Sequence, residues 1–403
     1  MPTRGGSKWG SPQKPVYIIE VGAGSAKLSY VLLQKLLKLS EYLPRKGDDR
    51  TPDKGVGNDS NTASRGGFCF KYVITDFSHA NFGFWMNHPR LQELFALGIV
   101  DFAVFDAEAE TGKLGAGSAV HMGAAGVDGQ GKGVGLWGSG CLRLELSGEE
   151  IRPGDLEHPV IVVANYVFDT LKQDAFRVHE GALEELMCTT SYSGVERPLS
   201  PDMLRYIKCS WNPVRRRPAS CYADDPRLSK ALETLSGSHD EASFLVPTGA
   251  VRALDALRAL VQGGKALVIA GDKGYVHDSE LEGTRDPHLA VHGSFSCMVN
   301  FRLLHLMCEA EGGSVIHSQH LDGFKCSAMA FGLEPKALPQ FRMAFKESTS
   351  CFSPNGFSSL QRLLKDESRG LSLRSALALL RLSQHDPDVF YKFKQVRKTA
   401  EKR

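Results

Sequence analysis

The sequence lacks the features that mark membrane, disulfide-bonded and repeat proteins. No apolar run approaches the roughly 20 residues that a transmembrane helix needs, and no internal repeat is visible. The nine cysteines are scattered, odd in number and without CxxC or Cys/His ligand spacing, which argues against a zinc site or a disulfide framework. We therefore expect reduced thiols in an intracellular compartment and no metal site.

An excess of charge of one sign is also missing. The 48 Lys and Arg residues nearly balance the 46 Asp and Glu residues, for a net charge of +2. No basic field therefore points to nucleic acid as the main partner. Residues 1–15 contain Arg4, Lys8 and Lys14 but no hydrophobic core of a secretory signal, and we expect a flexible tail there. A mitochondrial presequence is the alternative, but a predicted strand begins almost at once, which favours the cytoplasm.

The chain is organised around residues 16–28, which predict a buried strand, a glycine turn and the start of a helix. Residues 16–19 are apolar and β-rich, as in a parallel strand covered on both faces. Gly22 and Gly24 allow a tight turn and close approach of a ligand, and Ser25 is the expected N-cap of the helix. Such a turn presents free N–H groups and a positive helix end. The stretch therefore predicts a nucleotide-type site.

The spacing of the turn distinguishes two kinds of ligand. A dinucleotide fingerprint requires a third small residue for close packing of the helix on the strand, and Lys27 stands at that position. An NAD(P)-dependent oxidoreductase is therefore the less favoured alternative. The pattern Glu20-x-Gly22-x-Gly24 instead resembles the first motif of class I S-adenosylmethionine (SAM) methyltransferases, in which the acid and the glycine loop hold the methionine part of the cofactor. The resemblance implies that Ser25 at the end of the loop binds the cofactor with them. An ordinary glycine turn of an α/β protein is the plainer interpretation.

Two further predicted strands, 68–76 and 100–106, end in an acid, Asp76 and Asp106. Because the carboxyl ends of parallel strands meet at one edge of a sheet, these acids are expected beside the glycine turn. An acid at the end of the second strand accepts hydrogen bonds from ribose hydroxyls in Rossmann-like folds. The resemblance to SAM methyltransferases adds that Asp106 meets the adenine amino group and that Phe77 flanks the adenosine.

Two segments poor in large apolar residues interrupt this pattern. Residues 44–67 are rich in Gly, Asp, Asn, Arg and Ser, and residues 111–140 contain eleven glycines in thirty positions. We expect both to be flexible insertions. The first accounts for the distance between the glycine turn and Asp76, which exceeds the usual spacing of about 20 residues. A phosphate-cradling loop in the second is disfavoured, because no strand and GK[ST] motif surround it.

Residues 159–165 predict a fourth parallel strand that runs into polar side chains. Class I methyltransferases place substrate-facing groups there, so Asn165 and Tyr166 are expected to contact the substrate or the sulfonium side of the cofactor. Asp169 and His292 are the candidates for polarising or deprotonating the nucleophile. The plainer alternatives are a helix cap for Asp169, a core aromatic for Tyr166 and a core histidine for His292.

The remaining predicted elements complete an α/β sheet and add helices at the C-terminal end. In chain order they are a hairpin at 175–190 with its turn at Glu180 and Gly181, a strand at 205–211, a helix at 248–263, a strand at 266–270, a helix at 295–311, strands at 313–318 and 324–331, and helices at 357–364 and 371–382. The last two strands fit the sixth and seventh strands of a methyltransferase sheet, where the seventh is antiparallel.

With this order of elements, the chain resembles a class I SAM-dependent methyltransferase over residues 16–332. More distantly it is similar to the MidA-like family, which includes a mitochondrial complex I assembly factor that methylates protein arginine. Besides the glycine turn, residues 163–171, 271–274 and 292–296 carry this resemblance. It implies a Rossmann-like, seven-stranded class I methyltransferase sheet, S-adenosyl-L-methionine as the cofactor, and a C-terminal helical extension over 335–403.

The resemblance implies transfer of a methyl group to a protein or another macromolecular acceptor. MidA-like proteins usually carry Asn-Glu where this chain has Asn165 and Tyr166. The carboxylate that would orient a guanidinium substrate is therefore absent from that position. The alternative function is a SAM-binding but catalytically weak assembly or scaffold protein, which the change at Tyr166 and the large insertions favour.

Overall fold

The computed structural model describes residues 14–39, 69–108, 141–194, 201–291, 294–319, 323–334 and 338–350, together with 355–356, 358–359, 362, 373–383, 385–387 and 389–391. The predicted insertions at 44–67 and 111–140, and all but the end of the predicted tail, lie outside these ranges. The chain divides into two compact units. The first comprises residues up to His317 together with Lys325–Leu338, and the second comprises Ser318–Phe324 and the residues from Pro339 onward.

The described strands and helices give a mixed α/β protein. The strands are β1 (Val16–Val21), β2 (Phe70–Asp76), β3 (Val100–Val104), β4 (Leu142–Arg143), β5 (Glu150–Ile151), β6 (Val160–Asn165), β7 (Asp174–His179), β8 (Ala182–Tyr192), β9 (Ile207–Arg215), β10 (Ala242–Val246), β11 (Ala266–Tyr275), β12 (Ala290–Val291), β13 (Phe295–Ser296), β14 (Val299–Asn300), β15 (Ser314–His317) and β16 (Phe324–Phe331). The helices are α1 (Lys27–Leu39), α2 (His79–Asn87), α3 (Pro89–Phe95), α4 (Pro218–Cys221), α5 (Pro226–Gly237), α6 (Thr248–Ala259), α7 (Phe301–Ala310), α8 (Pro339–Ser350) and α9 (Leu373–Leu382).

The central sheet is mostly parallel. Its strand order is β15-β16-β11-β6-β1-β2-β3, and the short β14 pairs with the end of β11 as an eighth strand. The pairs β1–β2, β1–β6, β2–β3 and β6–β11 are parallel, whereas β15 and β16 are antiparallel. The predicted α/β class and the antiparallel last strand are confirmed. The described residues form one strand more in this sheet than the seven predicted.

Both faces of the central strands are covered, which explains their apolar sequences. Along β1, Ile18 packs with Leu33 of α1 and Trp85 of α2, whereas its neighbour Ile19 packs in a second cluster on the opposite face with Leu257 of α6. Successive side chains of a strand point to opposite faces, so apolar residues are needed on both faces. Each such side chain contributes about 1.5–3 kcal/mol when it is fully buried.

A second sheet has four strands in the order β10-β7-β8-β9, and its three strand pairs are antiparallel. The predicted hairpin is present as β7 and β8. Its turn lies at Glu180 and Gly181, whose φ values of 50° and 70° fit the tight turns that match the twist of a hairpin. The predicted strand at 205–211 corresponds to β9. The helices α2 and α5 and the strand β10 were not predicted, whereas α8 lies within the predicted C-terminal helical extension.

Two predicted boundaries on the C-terminal side of the sheet are wrong. The helix predicted at 295–311 begins only at Phe301, because Asn300 caps it with its side-chain oxygen 3.1 Å from the N–H of Leu303. Residues 295–296 form β13 instead and pair with β12. The strand predicted at 266–270 continues to Tyr275, because β14 pairs with its last two residues.

The helices predicted in the C-terminal part are only partly covered by the described residues. In the part of the chain that the structure describes, none of the helices combines the length and apolar character that crossing a bilayer requires. Most of the helix predicted at 357–364 lies outside the described residues. The helix predicted at 371–382 corresponds to α9.

Charged side chains connect α5, α6 and the end of α7. The Nη1 of Arg227 donates to Oδ1 of Asp255 and to Oε1 of Glu311, both at 3.0 Å, and Nη2 of Arg258 donates to Oε2 of Glu311 at 2.5 Å. Burial alone would raise the pKa of Glu311, but the guanidinium groups of Arg258 and Arg227 outweigh it and lower that pKa. This carboxylate therefore stabilises the packing of three helices.

We expect Glu311→Gln to lower the free energy of unfolding by about 1–3 kcal/mol at neutral pH, because two partly buried guanidinium groups lose a carboxylate. The lowered pKa of Glu311 means that its contribution is present above the unfolded pKa of about 4.3 and is lost as the pH falls through the folded pKa. Urea unfolding of both proteins at about pH 7 and about pH 3 measures the effect, and the difference between them should shrink at the lower pH.

The matched control is Glu233→Gln on α5, where Glu233 forms an exposed pair with Lys230. Exposed pairs contribute little, so this variant should unfold like the parent protein. An equal loss of stability in both variants would contradict the importance of the Glu311 contacts.

Candidate functional site

The predicted site residues follow strands whose carboxyl ends meet at one edge of the central sheet. The strand order reverses between β1 and β6, because β2 and β3 lie on one side of β1 and β11 lies beyond β6 on the other. In open α/β sheets, ligands bind in the crevice outside the strand ends at such a switch point. The glycine turn follows β1 and the polar stretch from Asn165 follows β6, so both border this crevice.

The glycine turn has the backbone that its sequence predicts. Gly22 and Gly24 have φ values of 64° and 54°, in the left-handed region that favours glycine. A Cβ on Gly22 would lie 2.9 Å from a methyl group of Val167, whereas a Cβ on Gly24 would meet no atom within 4 Å. The turn is therefore closely packed against the loop after β6 at Gly22 and open at Gly24.

Ser25 is not the N-cap of α1, which corrects the prediction. The helix begins at Lys27, so the preceding residue is Ala26. Ala26 has a φ of 56°, and its N–H donates to the carbonyl of Ala23 at 2.9 Å. This additional turn delays the start of the helix by one residue.

Backbone groups of the glycine turn are fastened to the end of β2. The N–H of Ala23 donates to the carbonyl of Thr75 at 2.9 Å, and the N–H of Gly24 donates to Oδ2 of Asp76 at 2.9 Å. The indole N–H of Trp85 donates to the carbonyl of Gly24 at 2.8 Å. The predicted acid Asp76 therefore lies in contact with the predicted turn, and its carboxylate fixes the turn.

Glu20 is buried beneath the turn and bonded within the protein. It is 3% exposed, and its Oε2 accepts hydrogen bonds from the hydroxyls of Ser29 at 2.5 Å and Tyr72 at 2.6 Å. Burial raises the pKa of Glu20, and these two hydrogen bonds oppose the rise. The contacts make Glu20 a support of the turn, and its contact with a cofactor stays a prediction.

Asp106 and Phe77 lie on the β3 and β2 side of the crevice. Asp106 follows β3, is half-buried, and accepts the N–H of Glu108 on Oδ1 at 2.9 Å. Phe77 directly follows Asp76 and is 71% exposed. An aromatic ring that is so exposed makes little contribution to the core, so it is available to stack on a ligand.

On the other side of the crevice, the residues after β6 include a strained tyrosine. Asn165 pairs with Gly271 of β11, and the next residue, Tyr166, has a φ of 54°. The left-handed conformation costs a residue with a Cβ about 1–2 kcal/mol. Tyr166 is 52% exposed, so the core-aromatic alternative is wrong. Its N–H donates to the carbonyl of Gly271 at 2.8 Å, which holds this conformation.

Asp169 lies beside a second acid, Asp272, that the sequence did not single out. Asp272 is 1% exposed, and its Oδ2 accepts the N–H of Asp169 at 3.2 Å. Burial, and then the negative charge of Asp169, raise the pKa of Asp272 to about 7. Burial also raises the pKa of Asp169, so the pair holds a proton more tightly than ordinary carboxyls do.

In the described part of the chain, one carboxylate oxygen of Asp169 lacks a hydrogen-bond donor. Among the described residues, no hydrogen-bond partner reaches its buried Oδ1. The helix-cap alternative is wrong, because residues 166–173 form a turn that leads into β7. The signal that could have identified Asp272 was its position, since residues 271–274 follow the core of a predicted strand at the same edge as the other acids.

One predicted catalytic residue, His292, lies outside the described residues. Among those that are described, no group of three or more His, Cys, Asp or Glu side chains is arranged to hold a metal ion. The other predicted site residues lie in β1, in the glycine turn after it, or at and just after the ends of β2, β3 and β6. The acids of this region are Glu20, Asp76, Asp106, Asp169 and Asp272.

Comparisons with known proteins give distant similarities only. No family model matches the chain, and no curated protein matches it. It is similar to the crystal structure of a COG1565 superfamily member from Burkholderia thailandensis, presented as a candidate methyl transferase and bound to S-adenosyl-homocysteine, with 14% identity, a TM-score of 0.39, and coverage of 79% of this chain and 72% of that one.

A second Burkholderia thailandensis structure, of an uncharacterised COG1565 superfamily protein, has 13% identity and a TM-score of 0.40. The match covers 80% of this chain and 76% of that one. Similarities of this size establish neither the family nor the activity of the chain.

The raised pKa of Asp272 predicts a stability that falls as the pH rises. The folded state resists ionisation between the unfolded pKa of about 3.9 and the folded pKa, so the cost of ionisation grows across this window. Asp272→Asn removes that cost. As the pH rises from 5 to 8, we expect the free energy of unfolding of the variant to increase by about 2–3 kcal/mol relative to that of the parent protein. Urea unfolding at both pH values measures this change.

The two proteins are compared by the slope of their unfolding free energy against pH. The absolute stabilities are not compared, because the amide that replaces the carboxylate in Asp272→Asn also loses one acceptor for the backbone N–H groups of Asp169 and Lys273. Asp240→Asn, at an exposed position, is the control and should retain the slope of the parent protein. Parallel pH profiles for the parent protein and Asp272→Asn would show that Asp272 ionises normally.

Proposed function

We propose that the chain is a SAM-dependent methyltransferase that acts on a protein or another macromolecular acceptor. In this proposal, residues 16–332 form the methyltransferase domain and residues 335–403 a C-terminal helical extension. The observation that supports it best is the group of acids at the switch point of the central sheet. There the glycine turn is fastened to Asp76 on one side and packs against the loop after β6 on the other.

The residues of the crevice fit the chemistry of SAM. The cofactor offers ribose hydroxyls, an adenine amino group and a positively charged sulfonium, and carboxylates accept from the first two and attract the third. Asp76 and Asp106 are the acceptors proposed for adenosine, with Phe77 stacked on its base. Gly24 leaves open space for the close approach of the methionine part.

The same charges disfavour the oxidoreductase alternative. A dinucleotide brings an anionic pyrophosphate, which binds at helix N-termini and next to basic groups. Here Asp76 ends β2, Asp106 follows β3, and Asp272 lies buried within β11 beside the loop after β6. Repulsion from these acids adds to the argument from Lys27, which occupies the position where close helix packing needs a small residue.

Bound SAM supplies an electrophilic methyl group, so the protein has to align the acceptor, exclude water and remove a proton. We assign proton removal to Asp272, because a base with a pKa of about 7 is half ionised at neutral pH and still holds a proton well. Asn165 and Tyr166 border the same crevice and are proposed to orient the acceptor. Asp169, whose Oδ1 is short of a donor, is proposed to accept a hydrogen bond from it.

Within the methyltransferase class, we propose a distant similarity to the MidA-like family, on residues 163–171, 271–274 and 292–296. The Burkholderia thailandensis structure with S-adenosyl-homocysteine contains the cofactor class proposed here. The second candidate function is a SAM-binding scaffold without turnover. Tyr166 favours it, because this residue stands where the MidA-like pattern has a glutamate.

Calorimetric titration with SAM, and separately with NADH, tests the cofactor assignment. Stacking of a base on an aromatic ring contributes about 1–3 kcal/mol, so Phe77→Ala should weaken SAM binding by about 5- to 150-fold. Phe77 is exposed, and its loss should leave the fold intact. The matched control is Phe84→Ala on α2, because Phe84 is also exposed, at 48%, and should retain the affinity of the parent protein.

Asp76→Ala extends the same titration to the ribose side and should also weaken SAM binding. Because Asp76 holds the glycine turn, circular dichroism of this variant has to match the parent protein. Binding of NADH without binding of SAM would reverse the assignment in favour of an oxidoreductase.

Transfer of a labelled methyl group from SAM to proteins of a cell extract separates an enzyme from a scaffold. We expect labelling by the parent protein, and a loss of about 100-fold or more in Asp272→Asn, as for removal of a general base, with SAM affinity unchanged. Activity of the parent protein should rise with pH through about 7 as Asp272 ionises. Tight SAM binding without any labelled protein would favour the scaffold.

A further inference from the structure

The hairpin of β8 and β9 brings two cysteines together. The register pairs Cys188 with Trp211 and Thr190 with Cys209, so Cys188 and Cys209 lie diagonally across the two strands. Residues two apart on a strand point to the same face. The thiols of Cys188 and Cys209 therefore project from one face of the hairpin.

These two thiols contact each other, and a third lies close by. The thiol of Cys188 has a raised pKa because of burial and of its hydrogen bond with Cys209. Burial, and then the charges of Asp169, Cys209 and Cys188, raise the pKa of Cys297 to about 11. The ring of Trp211 and Cys297 pack on one apolar cluster beneath the hairpin.

We propose that Cys188 and Cys209 form a redox-sensitive dithiol that closes reversibly to an intramolecular disulfide. With hydrogen peroxide as the oxidant, the thiolate of Cys188, which is exposed, attacks one peroxide oxygen and becomes a sulfenic acid, while the other oxygen leaves as water. The thiol of Cys209 then attacks the sulfenic sulfur and releases a second water. Two thiols and one peroxide thus give one disulfide and two waters.

The position on the hairpin allows this bridge and makes it labile. Diagonal neighbours on paired strands have Cα atoms roughly 7–8 Å apart, slightly beyond the 4.4–6.8 Å of most disulfides, so the strands have to approach by about 1 Å. Residues 187–192 of β8 are exposed, which leaves this end of the hairpin free to adjust. Bridges that need such an adjustment are the more easily reduced ones.

The dithiol adjoins the candidate site, although the proposal does not depend on the methyltransferase activity. The N–H of Cys297 donates to the carbonyl of Asp169 at 2.9 Å, so the third thiol belongs to the segment that supports the acid pair. Cys297 is the competitor for either hairpin thiol. Cys297 is less exposed than Cys188, and burial raises its pKa to about 11. Both slow its reaction with peroxide, so the pair on the hairpin is expected to close first.

The test treats the full chain with a small excess of hydrogen peroxide and then alkylates the remaining thiols in denaturant. Mass spectrometry should show two fewer alkylated thiols than in the untreated protein and a peptide joined through Cys188 and Cys209. Dithiothreitol should restore both thiols. Because the pKa of Cys188 is raised, the rate of closure should increase by about tenfold per pH unit above pH 7.

The variants Cys188→Ser and Cys209→Ser should each lose the bridge while retaining the circular dichroism of the parent protein. The matched control is Cys221→Ser, because Cys221 is surrounded by Glu185, Arg216 and Asp174 instead of thiols, and this variant should form the bridge at the parent rate. A parent protein without the joined peptide would overturn the proposal. So would a bridge from Cys209 to Cys297 that forms equally well in Cys188→Ser.

Discussion

The site depends on the hydrogen bonds that fasten the glycine turn to the end of β2. Two successive N–H groups of the turn, at Ala23 and Gly24, donate hydrogen bonds to the carbonyl of Thr75 and the carboxylate of Asp76. Backbone donors near a helix start otherwise require water or a ligand, and a free turn of glycines is costly to order. Because the turn is already fixed, a ligand meets a preformed turn and does not have to order it.

Several carboxyl groups lie together at this edge of the sheet, and each is stabilised in a different way. Glu20 is stabilised by the hydroxyls of Ser29 and Tyr72, and Asp76 by backbone N–H groups. Asp272 has backbone donors as well, yet burial and the nearby Asp169 keep its pKa near 7. A proton or a cation is what relieves such a pair, which is why this edge is better suited to a sulfonium cofactor than to a pyrophosphate.

The sequence predicted structure best where a single local pattern, such as a run of apolar residues, determines the type of element. Buried parallel strands require apolar residues on both faces, so β1, β2, β3 and β6 could be predicted, and with them the positions of Asp76 and Asp106. Predictions failed where a local contact shifts a boundary, as Asn300 does at the start of α7. The role proposed for Asp272 could not be predicted, because its pKa depends on burial and on Asp169, which is distant in the sequence.

Tyr166 connects these observations to the choice between enzyme and scaffold. A glycine or an asparagine would adopt its left-handed φ of 54° at less cost, and an exposed ring gains little from packing. Strain of this kind persists only where the surrounding structure imposes it, and such residues cluster at functional sites. The phenol lies near Asp272 and Asp169, whose charges raise its pKa after burial. A scaffold needs neither the strain nor this contact, whereas an enzyme that must orient an acceptor beside its base gains from both.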